Sequence, residues 1–230
     1  MKGILLAAAF AVAQHALATA LILAGDSTLD EHGGDESVYA SWGASLRTEL
    51  AAGSEVVDFA KCGCSTKSFR DKGHWGKVLD RIRPGDFVLI QFGHNDQKLN
   101  VPEIAVPEAQ FKTNLLQMVA EVRARKGEPM LATPIVRLTY KDGHLVDTAK
   151  LDAWAARLTE AAAEAKVPLV DMRRMTREAA DKAGETEALT WYAPNDRTHP
   201  AVKGARLYAR MFLEDVRKRE LPVAKLFKSR

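Results

Sequence analysis

The stretch Asp86-Phe87-Val88-Leu89-Ile90-Gln91-Phe92-Gly93-His94-Asn95-Asp96 decides how the rest of the chain is read. Its first half is a near-continuous apolar run. An antiparallel strand with one wet face would alternate, whereas a strand of a parallel sheet is buried on both faces and shows this unbroken pattern. Its second half turns abruptly polar, with a glycine, an imidazole, an amide and a carboxylate in succession. A central parallel strand therefore ends in a loop rich in chemistry.

Working outward, further short apolar runs alternate with helical patterns. Leu21–Ala24 and Glu55–Phe59 read as strands before the central one, and Pro129–Ala132 and Pro168–Asp171 as strands after it. Helical spacing of apolar residues predicts helices over 38–50, 75–82, 107–125, 150–166, 173–182 and 202–220. Residues 134–148 read as a long loop with Asp142-Gly143 as its turn, and residues 221–230 as a mildly basic tail that packs or frays on the surface. Five strands alternating with helices give one α/β domain with a parallel sheet and helices on both faces. In such sheets the ligand crevice lies outside the carboxyl ends of the strands.

The composition agrees with an ordinary globular domain. Of 230 residues, 47% are hydrophobic and 27% charged, which excludes disordered, collagenous and coiled-coil classes. A formal charge of +3, with no long basic block, does not point to nucleic acid. Cys62 and Cys64 are separated by one residue, so a bridge between them would close a small strained ring, and both are read as free thiols. At the amino terminus, Lys2 precedes the uncharged apolar run Gly3–Ala13, and Ala16-Leu17-Ala18 has the small-x-small pattern of a signal-peptidase site. Residues 1–18 are therefore expected to be a cleaved leader, with Ala20 as a second possible cleavage point and residues 19–230 as the exported domain. The apolar run is too short to span a bilayer comfortably. A periplasmic or secreted monomer with no membrane span follows.

The loops at the strand ends carry the functional signal. They are Gly25-Asp26-Ser27-Thr28, Lys61-Cys62-Gly63-Cys64-Ser65-Thr66, Gly93-His94-Asn95-Asp96 and Asn195-Asp196-Arg197-Thr198-His199-Pro200. Together they hold the groups needed for acyl transfer through a serine. A serine hydroxyl is a poor nucleophile near neutral pH and needs a base, for which His199 is the candidate. The imidazole needs a partner to fix its tautomer, and Asp196, three residues earlier, can reach it. The oxyanion formed on attack calls for aimed donors: the backbone N–H groups of Ser27 and Gly63 and the side-chain amide of Asn95. Each piece alone has an ordinary reading. Gly25-Asp26-Ser27 could be a turn and helix cap, Asp26 a brace for its own loop, Asn95 a turn residue, His199 a surface histidine and Asp196 a cap. Their joint placement, in this order, favours the catalytic reading.

These four segments resemble the GDSL, or SGNH, hydrolase superfamily, whose blocks read here Gly25-Asp26-Ser27, Gly63, Gly93-His94-Asn95-Asp96 and Asp196-Arg197-Thr198-His199. The resemblance spans Leu21 to about Arg217. It implies a flavodoxin-like three-layer α/β/α sandwich with a five-stranded parallel sheet, and an esterase needing no metal or cofactor. Ser27, Asp196 and His199 would be catalytic, with Ser27, Gly63 and Asn95 in the oxyanion hole. Gly25-Asp26-Ser27-Thr28, Gly63-Cys64-Ser65-Thr66-Lys67-Ser68-Phe69, Gln91–Asp96 and Thr133-Pro134 followed by Arg137 look like the rhamnogalacturonan acetylesterase branch, whose members deacetylate pectic or related polysaccharides. Cys62 and Cys64 stand where that branch commonly carries Asn and Arg, and Pro200 where an aromatic is common. An acetylated polysaccharide or oligosaccharide is thus the expected partner. Arg137 is either a contact for a substrate carboxylate such as a galacturonate or an ordinary solvated loop arginine. Trp42, Trp75, Trp154 and Trp191 are core candidates, of which Trp191 alone is placed to line the site instead.

Two other functions compete with this one. A lipase or thioesterase of the same superfamily would want an apolar acyl channel, but the loops carry Lys98, Asn100, Lys141, Asp142 and Asn195. A non-catalytic carbohydrate-binding protein on this fold would be expected to lack Ser27 or His199, and both are present. The chain has no Gly-x-Ser-x-Gly, Ser-x-x-Lys, His-Glu-x-x-His or P-loop motif, and His32, His74 and His144 are scattered rather than clustered for a metal.

Overall fold

In the computed structural model, residues 18–32, 38–146 and 150–229 are described. The expected leader, apart from Ala18, lies outside them. Five parallel strands form the sheet: β1 (Thr19–Gly25), β2 (Ser54–Asp58), β3 (Phe87–Gln91), β4 (Glu128–Ala132) and β7 (Leu169–Val170). Their order across the sheet is β2-β1-β3-β4-β7. β1 pairs with β2 in the register Leu21↔Val56 and with β3 in the register Leu21↔Phe87. The direction of winding reverses between β1 and β3, which is the switch point where doubly wound sheets bind ligands.

The unbroken apolar runs separate cleanly into two cores, because successive side chains of a strand point to opposite faces. Leu21, Leu23, Phe87 and Leu89 pack with Trp42, Tyr208 and Phe212 on one face. Ile22, Ala24, Val88, Ile90 and Phe92 pack with Phe69, Trp75, Phe111 and Leu115 on the other. The second face is covered by α1 (Thr66–Asp71), α2 (His74–Arg81), α3 (Glu108–Ala124) and α4 (Leu151–Ala165). The first is covered by α5 (Met172–Ala183) and α7 (Val202–Lys218), with α6 (Glu185–Leu189) between them. This is the expected three-layer α/β/α architecture. Among the described residues no helix is long and apolar enough to cross a membrane.

Several local expectations are corrected. Of the helix expected over 38–50, only a 3-10 turn forms, Ala44–Glu49. The Ser41 hydroxyl accepts from Ala44 N at 2.9 Å and donates to the Leu29 carbonyl, so Ser41 ties the start of that turn to the loop after β1 rather than continuing a helix. Gly43 lies where a Cβ would come 2.6 Å from Leu29 and 2.7 Å from Leu23, which draws the segment tightly onto the core. Helix α1 has no counterpart among the expected elements; it starts at Ser65, which exchanges hydrogen bonds with Ser68 in a capping box lacking the usual Glu or Gln. Within the loop expected over 134–148, β5 (Tyr140–Lys141) and β6 (His144–Leu145) make a small antiparallel hairpin. Asp142 and Gly143 turn it with φ of 53° and 77°, the pair of positive angles a tight hairpin turn requires. Of the two readings of the carboxyl-terminal tail, packing holds: Val223, Leu226 and Phe227 are buried, and Phe227 bridges to Leu50.

Candidate active site

The turn after β1 is held by a buried polar chain. A Cβ at Gly25 would lie 2.7 Å from the Gln91 carbonyl oxygen and 2.6 Å from the Leu29 side chain, so this position needs glycine for close approach. Asp26 Oδ1 accepts from Thr28 N and Thr28 Oγ1, each at 3.0 Å. Gln91 in turn donates to Thr28 Oγ1 and accepts from Trp42 Nε1 at 3.1 Å. Asp26 is therefore the brace of its loop. Burial raises its pKa above the ordinary carboxylate value against the lowering effect of the Thr28 bonds, and its Oδ2 has no hydrogen-bond partner among the described residues.

Ser27, 172 positions from His199 in sequence, places its Oγ 2.8 Å from His199 Nε2. His199 Nδ1 lies 2.7 Å from Asp196 Oδ2. Asp196 Oδ1 accepts from Thr198 N at 2.6 Å and His199 N at 2.9 Å, so the carboxylate shapes its own loop while facing the imidazole. Burial raises its pKa, but the His199 and Thr198 hydrogen bonds outweigh it and hold the group below the usual value. A charged carboxylate on Nδ1 favours the tautomer with Nδ1–H, leaving Nε2 to accept from the serine hydroxyl. Three contacts fasten this loop to the body: Ala193 N to the His199 carbonyl at 3.0 Å, Ala40 N to the Pro200 carbonyl at 2.8 Å, and the Tyr192↔Pro200 bridge.

The candidate oxyanion donors lie in the neighbouring strand-end loops, and the loop after β2 is tied to β1 by Lys61 N donating to the Gly25 carbonyl at 3.0 Å. Gly63 has φ of +74°, and a Cβ at this position would meet nothing within 4 Å, so the backbone angle rather than crowding calls for glycine. Among the described residues, neither Ser27 N–H nor Gly63 N–H is donated to a protein acceptor. Asn95 is buried; its Nδ2 donates to the Cys64 carbonyl at 3.0 Å and its Oδ1 accepts from Lys98 Nζ at 2.8 Å. An amide nitrogen carries two hydrogens, so one remains for an oxyanion. Asp96 ties this loop to α1, accepting from Thr66 N at 2.8 Å, Thr66 Oγ1 at 2.6 Å and Gly93 N at 3.1 Å. Burial pushes its pKa to about 7.

Trp191 and Arg137, the two further candidates for touching substrate, sit in different surroundings. Trp191 is 6% exposed and belongs to the core: it stacks edge-on with Tyr208, its Nε1 donates to Glu187 at 2.9 Å, and its backbone packs so closely on Gly204 that no side chain fits there. Arg137 is half-buried and donates from Nε to His94 Nδ1 at 3.3 Å and from Nη2 to the His94 carbonyl at 3.2 Å. His94 is buried and kept neutral by burial and by the charge of Arg137, with Nε2 lacking a partner among the described residues.

Three contributors carry no signal in the sequence. Lys98 fixes the Asn95 amide. Tyr39 and His32 stand against the His199 ring, at centroid distances of 5.3 and 5.7 Å, and His32 Nε2 also contacts the Ser27 carbonyl oxygen. No motif marks Tyr39 or His32; only their position shortly after the serine could have drawn attention to them. Cys62 is exposed and Cys64 buried, and both are free thiols. Among the described residues no group of His, Cys, Asp and Glu side chains could hold a metal ion.

The family model of the GDSL-like lipase/acylhydrolase family matches residues 23–207. The chain is 31% identical to the probable rhamnogalacturonan acetylesterase YesY of Bacillus subtilis (strain 168), over 90% of this chain and 96% of that protein. It is 29% identical to the rhamnogalacturonan acetylesterase RhgT of the same organism, over 88% of this chain and 91% of that one. The crystal structure of YxiM from Bacillus subtilis aligns with a TM-score of 0.79 at 26% identity, covering 90% of this chain but only 58% of that longer chain. Axe2, an acetylxylan esterase from Geobacillus stearothermophilus, shares the fold with a TM-score of 0.67 at 21% identity, covering 87% of this chain and 94% of that one.

Proposed function

The chain belongs to the GDSL-like lipase/acylhydrolase, or SGNH, family of ester hydrolases, and from that premise we propose that it is an exported serine esterase that removes acetyl groups from carbohydrate, with pectic rhamnogalacturonan as the foremost substrate. The observation that carries the reading is the continuous contact from Ser27 Oγ through His199 to Asp196, at 2.8 and 2.7 Å, beside unclaimed N–H donors. The activities for which YesY and RhgT are named support the choice of substrate.

In this mechanism His199 Nε2 takes the Ser27 proton as Oγ attacks the acetyl carbonyl, and Asp196 stabilises the imidazolium that forms. Ser27 N–H, Gly63 N–H and the second Asn95 Nδ2–H receive the oxyanion. The tetrahedral centre collapses, His199 returns the proton to the departing sugar hydroxyl, and the acetyl group stays on Ser27. Water, deprotonated by His199, then attacks the acetyl-enzyme; the second tetrahedral centre collapses as His199 returns that proton to Ser27 Oγ, and acetate leaves.

Export rests on the leader-like residues 1–18. Cleavage after Ala18 is favoured over Ala20, because Thr19 and Ala20 pair with Ser54 and Glu55, and Ala20 N donates to the buried Asp86 at 2.8 Å. The experiment is acetate release from acetylated rhamnogalacturonan, acetylated homogalacturonan and acetylated xylan. Fastest release from the first is expected. Release from none of them, with turnover of octanoyl esters instead, would favour a lipase.

A further inference from the structure

A groove with a volume of about 470 Å³ runs between the 3-10 turn Ala44–Glu49 and the exposed face of α7. Its α7 wall begins at Val202, three residues after His199, and the segment leading into its other wall is tied to the loop before α7 by Ala40 N and the Pro200 carbonyl, at 2.8 Å. Tyr39, next to Ala40, lies against the His199 ring.

The α7 wall is cationic. Lys203, Arg206 and Arg210 fall at helical spacings of three and four, so they line one face, with the two arginines about 6 Å apart along the axis. Lys203 is engaged by Glu187 and Thr190, each at 2.8 Å. Arg206 and Arg210 are exposed and have no ion pair or side-chain hydrogen bond among the described residues. Elsewhere on the surface arginines such as Arg70, Arg157 and Arg174 are paired with carboxylates. Among the described residues, Glu49 is the one acidic group lining the groove, against these three cations. Exposed Val202 adds apolar surface at the end of the groove three residues from His199 in sequence.

We propose that this groove binds the carboxylates of an acidic polysaccharide, a polyuronate, and so holds the chain whose acetyl group reaches Ser27. The proposal deepens the carbohydrate-esterase reading and rests on it. A guanidinium presents paired N–H donors that match a carboxylate in the plane of its fork, and two of them one helical turn apart suit carboxylates repeated along a polymer. A neutral acetylated xylan would gain nothing from them.

The test compares the wild type with the double variant Arg206→Glu/Arg210→Glu. Calorimetry with de-esterified galacturonate oligosaccharides reads the groove without catalysis. Each exposed ionic contact contributes a factor of up to about five, so binding about tenfold weaker or more is expected in the variant. Wild-type affinity should also fall as salt is raised. The kcat/KM on acetylated, uronate-bearing polymer should drop by a similar factor, while p-nitrophenyl acetate and the carboxyl-reduced polymer are turned over as by the wild type. Equal oligosaccharide binding by the two proteins, or an equal loss on the carboxyl-reduced polymer, would overturn the groove. A wild type that turns over no ester would instead overturn the esterase reading, and the calorimetry would still decide the groove.

Discussion

Replacing Lys98 with methionine tests how the Asn95 amide is aimed. That amide has two anchors, the Cys64 carbonyl at 3.0 Å from Nδ2 and the Lys98 ammonium at 2.8 Å from Oδ1. Methionine keeps most of the side-chain bulk and removes the charged donor. A hydrogen bond to a charged group contributes about 1.5–3 kcal/mol, and losing an oxyanion donor outright costs about 2.7–4 kcal/mol. The variant should therefore lose between roughly ten- and a hundredfold in kcat, within the ceiling set by Asn95→Ala, with KM for p-nitrophenyl acetate little changed. The assay is a double-mutant cycle of Lys98→Met and Asn95→Ala on that substrate. If Lys98 works through the amide, adding its substitution to Asn95→Ala costs little more. Fully additive losses, or wild-type turnover by Lys98→Met alone, would refute the reasoning. Burial, followed by the charge of Arg137, lowers the Lys98 pKa, so its contribution should fade at a lower pH than an ordinary lysine would allow.

The same geometry gives further expectations. Asp196→Asn removes the charge facing His199 Nδ1 and should lower kcat about 10²–10⁴-fold while leaving the circular dichroism spectrum intact. Gly63→Ala meets no neighbour but must hold φ of +74°, so it should fold with Tm lowered by about 2–8 °C and lose esterase activity as the N–H shifts. Asp58 is raised from 3.8 to about 7 by burial, so the native state holds its proton where the unfolded chain has released it. Its contribution to stability therefore falls as pH rises through that window, and the Tm difference between Asp58→Asn and wild type should grow in the variant's favour from pH 4 to pH 7. A difference independent of pH would contradict this. A thiol reagent should titrate one cysteine, Cys62, in the native protein and both after denaturation; no native reaction, with two thiols appearing only after reduction, would indicate a bridge.

Most of the sheet was legible because burial on both faces leaves unbroken apolar runs such as Phe87–Ile90, and the loop chemistry was legible because polar residues gather where those runs stop. The Ser27 to His199 contact was inferable from roles, although the residues lie far apart in sequence, since each needs the other chemically. What escaped depends on particular tertiary contacts. The helical pattern of 38–50 arises because Trp42 and Leu46 both face the core, yet Ser41 and Gly43 confine the regular part to a 3-10 turn. Helix α1 is short, and its cap uses a second serine where the recognisable pattern has an acid or amide. Trp191 was open to a core or a site-lining reading, and only the packing of α7 on its backbone at Gly204 decides for the core. Lys98 and Tyr39 matter only through the groups they touch, and nothing in their sequence neighbours announces those groups.

The central claim is that Ser27 carries the acyl group. Intact-mass analysis after rapid quenching with an activated acetate ester tests it most directly, alongside p-nitrophenyl acetate turnover, on the wild type and Ser27→Ala. One acetyl group should appear on the wild type and map to Ser27, while the variant should remain unlabelled and lose at least about 10³-fold in kcat. Labelling at another residue, or undiminished turnover by Ser27→Ala, would contradict the account.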